Sequence, residues 1–412
     1  MSAATTVTRS ATVYCLLSTV YCFHMLTAEV VIVGGGVVGA SVAHHLAARG
    51  CRDVLVLERG ARPGEGSTGR ATGGFRAQFG TEVNVRLSLL SREKLLRFEE
   101  ETGVNSGYVQ RGYLFVAHDE AALDALVEAQ GVQYECGLHE PYLVRGADIA
   151  RLNPAYNLDG VVGGVYCDTD GFIRPLEILR GYTEAAARAG VGFRYGVALE
   201  GAEGGGGGRA WTLKTTAGEI SAGVVVNAAG AWAAEVGRKF GADVPVAPLR
   251  RQVAATVPTD ILPEEMPMTI NVGDGFHLRV RDGRALLLWP DEPRPGRDPF
   301  DTGFDEDWLK TVVEKAHANV PCLKAVGIDR AACWAGLYEM SPDRHALLGR
   351  ANGFRNLYLA AGSSGHGVMH APALGHLLAE IILDGAAHTL DTRALRPSRF
   401  AEGEPNAGPS LL

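Results

Sequence analysis

The chain lacks the marks of several large protein classes. It has no run of basic residues, and its formal charge of −8 with a pI near 5.9 argues against nucleic acid or an anionic membrane surface as a principal partner. Its cysteines (Cys15, Cys22, Cys51, Cys136, Cys167, Cys322 and Cys333) are an odd, scattered set without a C-x-x-C pair. That set points away from a disulfide framework and from a zinc or other metal site. A reducing, cytoplasmic compartment is the expectation, with peripheral membrane association left open. No apolar run reaches the length of a membrane span. Ala11 to Leu26 follows Arg9 and imitates a secretory leader, yet it is short and rich in Ser, Thr and His. Residues 1–27 are expected to be a disordered leader or the upstream side of a true start at Met25. Lysine is absent between Lys239 and Lys310 and after Lys324.

What is present is a large apolar core, 46% of 412 residues, enough for two domains, and one informative motif. Val30 to Val33 is followed by Gly34-Gly35-Gly36-Val37-Val38-Gly39, and Val54 to Leu57 ends in Glu58. The apolar run reads as a buried parallel strand, Gly34 allows the tight turn, and Gly36 lets backbone amides approach a pyrophosphate. Gly39 lets helix and strand pack closely. The helix starting near Gly36 aims its positive dipole end at the phosphates, and Glu58 can accept from both ribose hydroxyls. This is a dinucleotide site, for NAD or FAD.

Further along, an amphipathic helix is predicted from Thr81 to about Phe98, a strand at 112–116, a short helix at 121–129, and a helix from Pro175 to Ala189 leading into a strand at 191–195. Glycines 204–208 and the Trp211–Thr215 run read as a hairpin with a flexible tip. Val224 to Val226 is a second buried strand, ending in Asn227-Ala228-Ala229-Gly230-Ala231-Trp232. Residues 245–330 alternate strand-like runs (276–280, 285–289) with a helix near 306–318. A third strand, glycine turn and helix follow at 357–362, 362–367 and Pro372 to Leu383. The fold class read from this order is α/β: a doubly wound Rossmann-like domain with a smaller α+β substrate domain holding a mostly antiparallel sheet. Residues 28–80, 160–244 and 331–400 are assigned to the nucleotide domain, 81–159 and 245–330 to the substrate domain, and 401–412 to a tail.

Six stretches coincide: the opening fingerprint with Glu58, Gly66-Ser67-Thr68-Gly69-Arg70, Asn227 to Trp232, Trp334-Ala335-Gly336-Leu337-Tyr338, Ser341-Pro342-Asp343, and Gly362-Ser363-Ser364-Gly365-His366-Gly367. Together they resemble the D-amino-acid oxidase (DAO) superfamily of FAD enzymes, most of all the β subunits of sarcosine oxidase and dye-linked L-proline dehydrogenase, over residues 28–400. The resemblance implies oxidation of a C–N bond in a secondary or N-methyl amino acid, by hydride transfer to the flavin. It implies FAD held by Gly34, Gly36, Val38, Gly39, Glu58, Arg59, Ser67, Thr68, Val197, Ala229, Gly230, Trp232, Gly336, Gly362, Gly365, Gly367, Val368 and Met369. Attachment is expected to be non-covalent, because the tethering cysteine of the monomeric oxidases falls at Gly336.

Arg76, within Thr72-Gly73-Gly74-Phe75-Arg76, matches the family arginine that pairs with the substrate carboxylate; a guanidinium fork suits two oxygens. Arg70 is the alternative. His366 is a candidate acid/base group, and Phe276, Trp289 and Tyr338 are candidate pocket walls, each equally readable as core or backbone-supporting residues. His277 and His345 read as structural. Where the monomeric oxidases carry an oxygen-activating lysine, the stretch 285–289 is apolar, which favours a dehydrogenase over an oxidase. A partner α subunit is also implied. Alternatives are a glycine or D-amino-acid oxidase releasing hydrogen peroxide, and a non-catalytic flavoprotein assembly factor.

Overall fold

The structure, a computed structural model, describes residues 25–291 and 296–407. The stretch 1–24, with Cys15 and Cys22, and the end of the tail lie outside the described residues. Leu26–Val33 (β1) is apolar on both faces because it runs through the middle of a sheet, with Val31 and Ile32 fully buried. It lies between Gly218–Asn227 on one side and Val54–Glu58 (β2) on the other, all parallel; Leu357–Ala361 and Gly192–Tyr195 flank these. The chain thus leaves β1 at a point where successive crossovers run to opposite sides, which opens a crevice at the carboxyl ends of the strands.

Helix Val37–Ala48 (α1) covers one face together with helices Pro175–Arg188 and Gly367–Asp384. Small residues let two of these helices approach closely: Ser41 Oγ donates to the Ala371 carbonyl at 2.8 Å, and a Cβ at Gly375 would stand 2.2 Å from Ser41 Oγ. The hairpin Leu199–Gly204 and Trp211–Thr215 extends the sheet antiparallel, with the glycine run at its tip.

The second sheet has eight strands, antiparallel except for one pair. Their order is Trp334–Met340, Ala247–Ala255, Arg284–Leu288, His277–Arg281, Met268–Asn271, Tyr113–Ala117, Gly163–Cys167 and Tyr142–Val144. One face packs Leu114, Phe276, Leu278 and Leu287 against Trp308 and Val312 of helix Glu306–Asn319. The other face meets the nucleotide domain.

Three expectations shift. Strand Gly163–Cys167, read as part of the nucleotide domain, pairs with Tyr113–Ala117 in the second sheet. Helix Glu82–Leu96, read with the substrate domain, lies on the C-terminal helix, where Ser88 Oγ and His370 Nε2 are 2.9 Å apart and Ser91 Oγ accepts from the Ala373 amide at 3.2 Å. Both placements come from pairings between distant segments, which local pattern does not encode. The C-terminal helix begins at Gly367, ahead of Pro372. A proline this near a helix start removes only one hydrogen bond, and the Ser41 contact to Ala371 anchors the turn before it.

Candidate cofactor and substrate site

The turn after β1 is built for close approach of backbone. Gly34 has φ +112°, and a Cβ there would lie 2.3 Å from the Ala228 carbonyl oxygen; at Gly39 it would lie 2.0 Å from the Gly34 oxygen. Glu58 ends β2 with Oε2 accepting from the Gly35 amide at 2.9 Å and Oε1 from the Gly60 amide at 2.7 Å, so its carboxylate is fixed at the mouth of the turn. Thr68 Oγ1 accepts from the Val37 amide at 3.1 Å, and Ser67 Oγ donates to the Leu337 carbonyl at 2.7 Å. Val197 donates its amide to the Glu58 carbonyl. Ala229 and Gly230 (φ +56°) turn the chain into Trp232, whose ring lies 3.7 Å from the Arg59 guanidinium and stacks on Phe300 at 5.4 Å.

The second glycine turn, 362–367, sits at the start of the C-terminal helix. Gly362, Ser364 and Gly365 all have positive φ, and the amides of Ser363, Ser364 and His366 are held within the protein by Glu339 Oε1, the Glu339 carbonyl and the Ser363 carbonyl. Ser363 Oγ is buried beside the Glu339 carboxylate. A turn whose glycines leave the backbone uncovered at a helix N-terminus gives a polar ligand edge room to approach. With the Gly34 turn and Glu58, these residues fit an extended FAD. Glu339 reaches the same turn: its Oε1 accepts from the Ser363 amide at 3.2 Å, and burial raises its pKa.

Between this turn and the second sheet lie Arg76, His366 and Tyr338. Arg76 is buried, with its guanidinium 4.2 Å from the Phe79 ring and 5.5 Å from Phe115, and Nη1 donating to the Gln78 carbonyl at 3.0 Å. Segment 76–78 is held by Asp170, which accepts from the Ala77 amide at 2.6 Å and from Gln78 Nε2 at 3.0 Å. Burial lifts the Asp170 pKa to about 6, outweighing these bonds and the attraction of Arg76. His366 packs edge-on against Phe79 at 4.8 Å; burial and the nearby Arg76 keep its pKa well below the ordinary value of 6.5.

Tyr338 keeps 38% of its surface accessible although it lies deep in the protein, and His277, Glu339 and His366 are likewise deep yet partly accessible. Accessible surface at that depth belongs to an internal cleft. Tyr338 therefore lines it, and its ring lies against Gly365.

Phe276 and Trp289 are placed elsewhere. Phe276 is fully buried under helix Glu306–Asn319, and Trp289 packs on the same core with its Nε1 donating to the Asp274 carbonyl. Alternation along the strand turns His277, read as structural, to the cleft in place of Phe276. Arg70 is exposed and donates to the Ala335 carbonyl at 2.8 Å, with its Cβ beneath Gly336. Val368 borders the turn, and Met369 enters the core beneath it. Asp170, Gln78 and Phe79 had no sequence signal, because their role depends on a contact between segments far apart in the chain. Among the described residues no cluster of side chains could hold a metal ion, and no helix is long and apolar enough to cross a membrane.

Comparison with known proteins agrees with this geometry. The profile described as FAD dependent oxidoreductase (DAO) matches residues 29–381. Mitochondrial dimethylglycine dehydrogenase of Rattus norvegicus is 32% identical over 397 residues, covering 91% of this chain and 45% of that protein. Mitochondrial sarcosine dehydrogenase of Mus musculus is 30% identical, covering 87% of this chain and 40% of that protein. The chain thus spans less than half the length of these relatives. The crystal structure of L-proline dehydrogenase from P. horikoshii superposes with a TM-score of 0.85 at 30% identity, covering 93% of this chain and all of that one.

Proposed function

This chain belongs to the DAO family of FAD-dependent oxidoreductases, and from that premise we propose that it oxidises the C–N bond of a secondary or N-methyl amino acid of the sarcosine or proline type. The observation that carries the reading is the position of Arg76, a buried guanidinium at the junction of the second sheet and the 362–367 turn, in the cleft that Tyr338 lines. A buried arginine flanked by two aromatic rings is suited to a substrate carboxylate, because Phe79 and Phe115 keep water from competing for its donors.

Bound FAD supplies the two-electron acceptor. The residues at the Gly34 turn, Glu58, Thr68 and the second glycine turn would hold it, non-covalently in this reading. Arg76 fixes the carboxylate, Tyr338 presses on the glycine turn, and the buried setting excludes bulk water, so orientation is the protein's main contribution. His366 has a depressed pKa and acts through its neutral ring.

The reading favours a dehydrogenase. Strand Arg284–Leu288 presents Leu286 and Leu288 to the cleft side, and Lys315 is bonded to Asp274 beside Trp289 on the other face. That strand carries no lysine, and its one cation, Arg284, is tied at the strand's start to Asp329 and the Thr256 carbonyl, at 2.8 and 2.7 Å, so the strand supplies no free charge beside Leu288 to stabilise superoxide. Electrons pass to an acceptor other than oxygen, with a partner subunit as one route.

The test is anaerobic mixing of the flavoprotein with sarcosine, L-proline, glycine and D-alanine. Bleaching of the visible flavin band by the first two, with slow recovery in air and fast recovery with a dye, is the expected result. Bleaching by glycine or D-alanine with rapid oxygen uptake would replace the reading by an amino-acid oxidase. Bound flavin that no amine reduces would leave an assembly or interaction role.

A further inference from the structure

One row of side chains crosses the second sheet on its cleft face. Phe115 pairs with Ile270, Ile270 with His277, His277 with Leu288, Leu288 with Val253, and Val253 with Trp334. Every member of that row but His277 is apolar or aromatic. Its imidazole is deep but partly accessible, within electrostatic reach of Arg76 and Arg251. Nδ1 lies 2.8 Å from the Gly275 carbonyl oxygen. A carbonyl can only accept, so Nδ1 carries the proton, and Nε2 is left as a bare lone pair on the cleft side. Burial, with Arg76 and Arg251 in support, holds the ring neutral with a pKa of about 4. The cleft thus contains a cation for a carboxylate, Arg76, and, on the second sheet, a fixed acceptor for a hydrogen.

We propose that His277 Nε2 accepts a hydrogen bond from the N–H of the substrate amine, and that this bond makes the site selective for secondary over tertiary amines. The proposal rests on the reading of the cleft as an amino-acid site. A secondary amine as free base has one N–H and one lone pair. Giving the N–H to Nε2 leaves the lone pair free while the carbon beside nitrogen loses its hydride to FAD. The product is an iminium whose N–H is positively charged, so the bond to Nε2 strengthens as the reaction proceeds and favours the transition state. A tertiary amine such as N,N-dimethylglycine has no hydrogen to offer, and its second methyl meets the imidazole, leaving Nε2 unpaired.

The experiment uses the holoprotein and two planar carboxylates of nearly equal shape, pyrrole-2-carboxylate with an N–H and furan-2-carboxylate with a ring oxygen, titrated by the flavin difference spectrum and by calorimetry. The wild type should bind the pyrrole about tenfold more tightly. His277→Phe, which suits the apolar row, should abolish the difference at unchanged flavin content. His277→Gln, whose amide oxygen can accept, should restore part of it. A pyrrole preference that survives in His277→Phe would overturn the proposal, as would equal binding in the wild type. The binding ratio reads His277 even where no amine bleaches the flavin, so failure of the substrate reading and failure of this role are separable. In turnover, the ratio of kcat/KM for sarcosine over N,N-dimethylglycine should fall about tenfold in His277→Phe.

Discussion

Gly365 lies against the ring of Tyr338 so closely that a Cβ at position 365 would stand 2.6 Å from Cε2. Gly365 also has φ +93°, a conformation costing other residues about 1–2 kcal/mol. Through this contact the second sheet sets the height of the glycine turn. Gly365→Ala should therefore push the turn and the ring apart and lower FAD occupancy, with only a modest drop in melting temperature. The ratio of visible to ultraviolet absorbance of the purified protein measures it; full occupancy in the variant would mean that the contact does not position the cofactor.

A harsher outcome is expected at the other end. Gly34→Ala combines φ +112° with a Cβ 2.3 Å from the Ala228 carbonyl, and both partners are backbone at the centre of the parallel sheet. Neither can yield without moving β1. We expect a colourless or insoluble product, against a yellow and soluble Gly50→Ala control, which shares the positive φ (+95°) but whose Cβ would meet nothing within 4 Å, so that the difference reads the clash.

Arg76→Lys keeps the charge and loses the fork. Charge-assisted hydrogen bonds contribute about 1.5–3 kcal/mol, so KM for the amino acid should rise about tenfold to a hundredfold, with flavin content intact. Steady-state kinetics with a dye acceptor decide it. A KM unchanged in Arg76→Lys and in Arg76→Ala would move the carboxylate elsewhere, Arg251 being the next cation to try.

Acid sensitivity should come from buried histidines. His44 and His277 have pKa values near 4 and His370 near 3, each lowered chiefly by burial. A depressed folded value means stability is fully present above the unfolded pKa of 6.5 and is lost as pH falls through the folded one. At pH 5 each histidine forfeits about 2 kcal/mol. Asp170 works the other way: its pKa of about 6 means folding binds the proton more readily, returning about 1 kcal/mol over the same drop. The histidines win, so stability should fall between pH 6.5 and 5, and less steeply in His370→Gln. Denaturant unfolding at several pH values checks this; a flat profile would contradict their neutral state.

The fingerprint turn was legible because its chemistry is local: Gly34, Gly36 and Gly39 are required by the backbone within a few residues, and Glu58 ends the next strand. The face of a strand was not. Alternation separates Phe276 from His277 and Leu288 from Trp289, yet period two alone does not say which set meets the helix and which the cleft. Only the register with Ile270 and Val253 decides that. Asp170 was invisible for a similar reason, since its partners Ala77 and Gln78 lie on another segment and meet it only in the folded chain. The strand Gly163–Cys167 was assigned to the nucleotide domain because order along the chain is a weak guide to which sheet a strand joins.

The apolar row also offers a test of oxygen reactivity. Leu288 stands beside His277 on the cleft face and is 6% exposed. A cation there would lie where negative charge develops on oxygen during one-electron reduction, and fixed charge in a water-poor site acts strongly on such a transition state. Leu288→Lys should speed reoxidation of the reduced protein by oxygen at least about tenfold, while Leu288→Gln, similar in length and neutral, should not. Stopped-flow mixing of photoreduced protein with aerated buffer reads the rate directly. Fast reoxidation of the wild type, matched by both variants, would mean that the missing lysine does not restrain oxygen and that the dehydrogenase reading has lost its structural support.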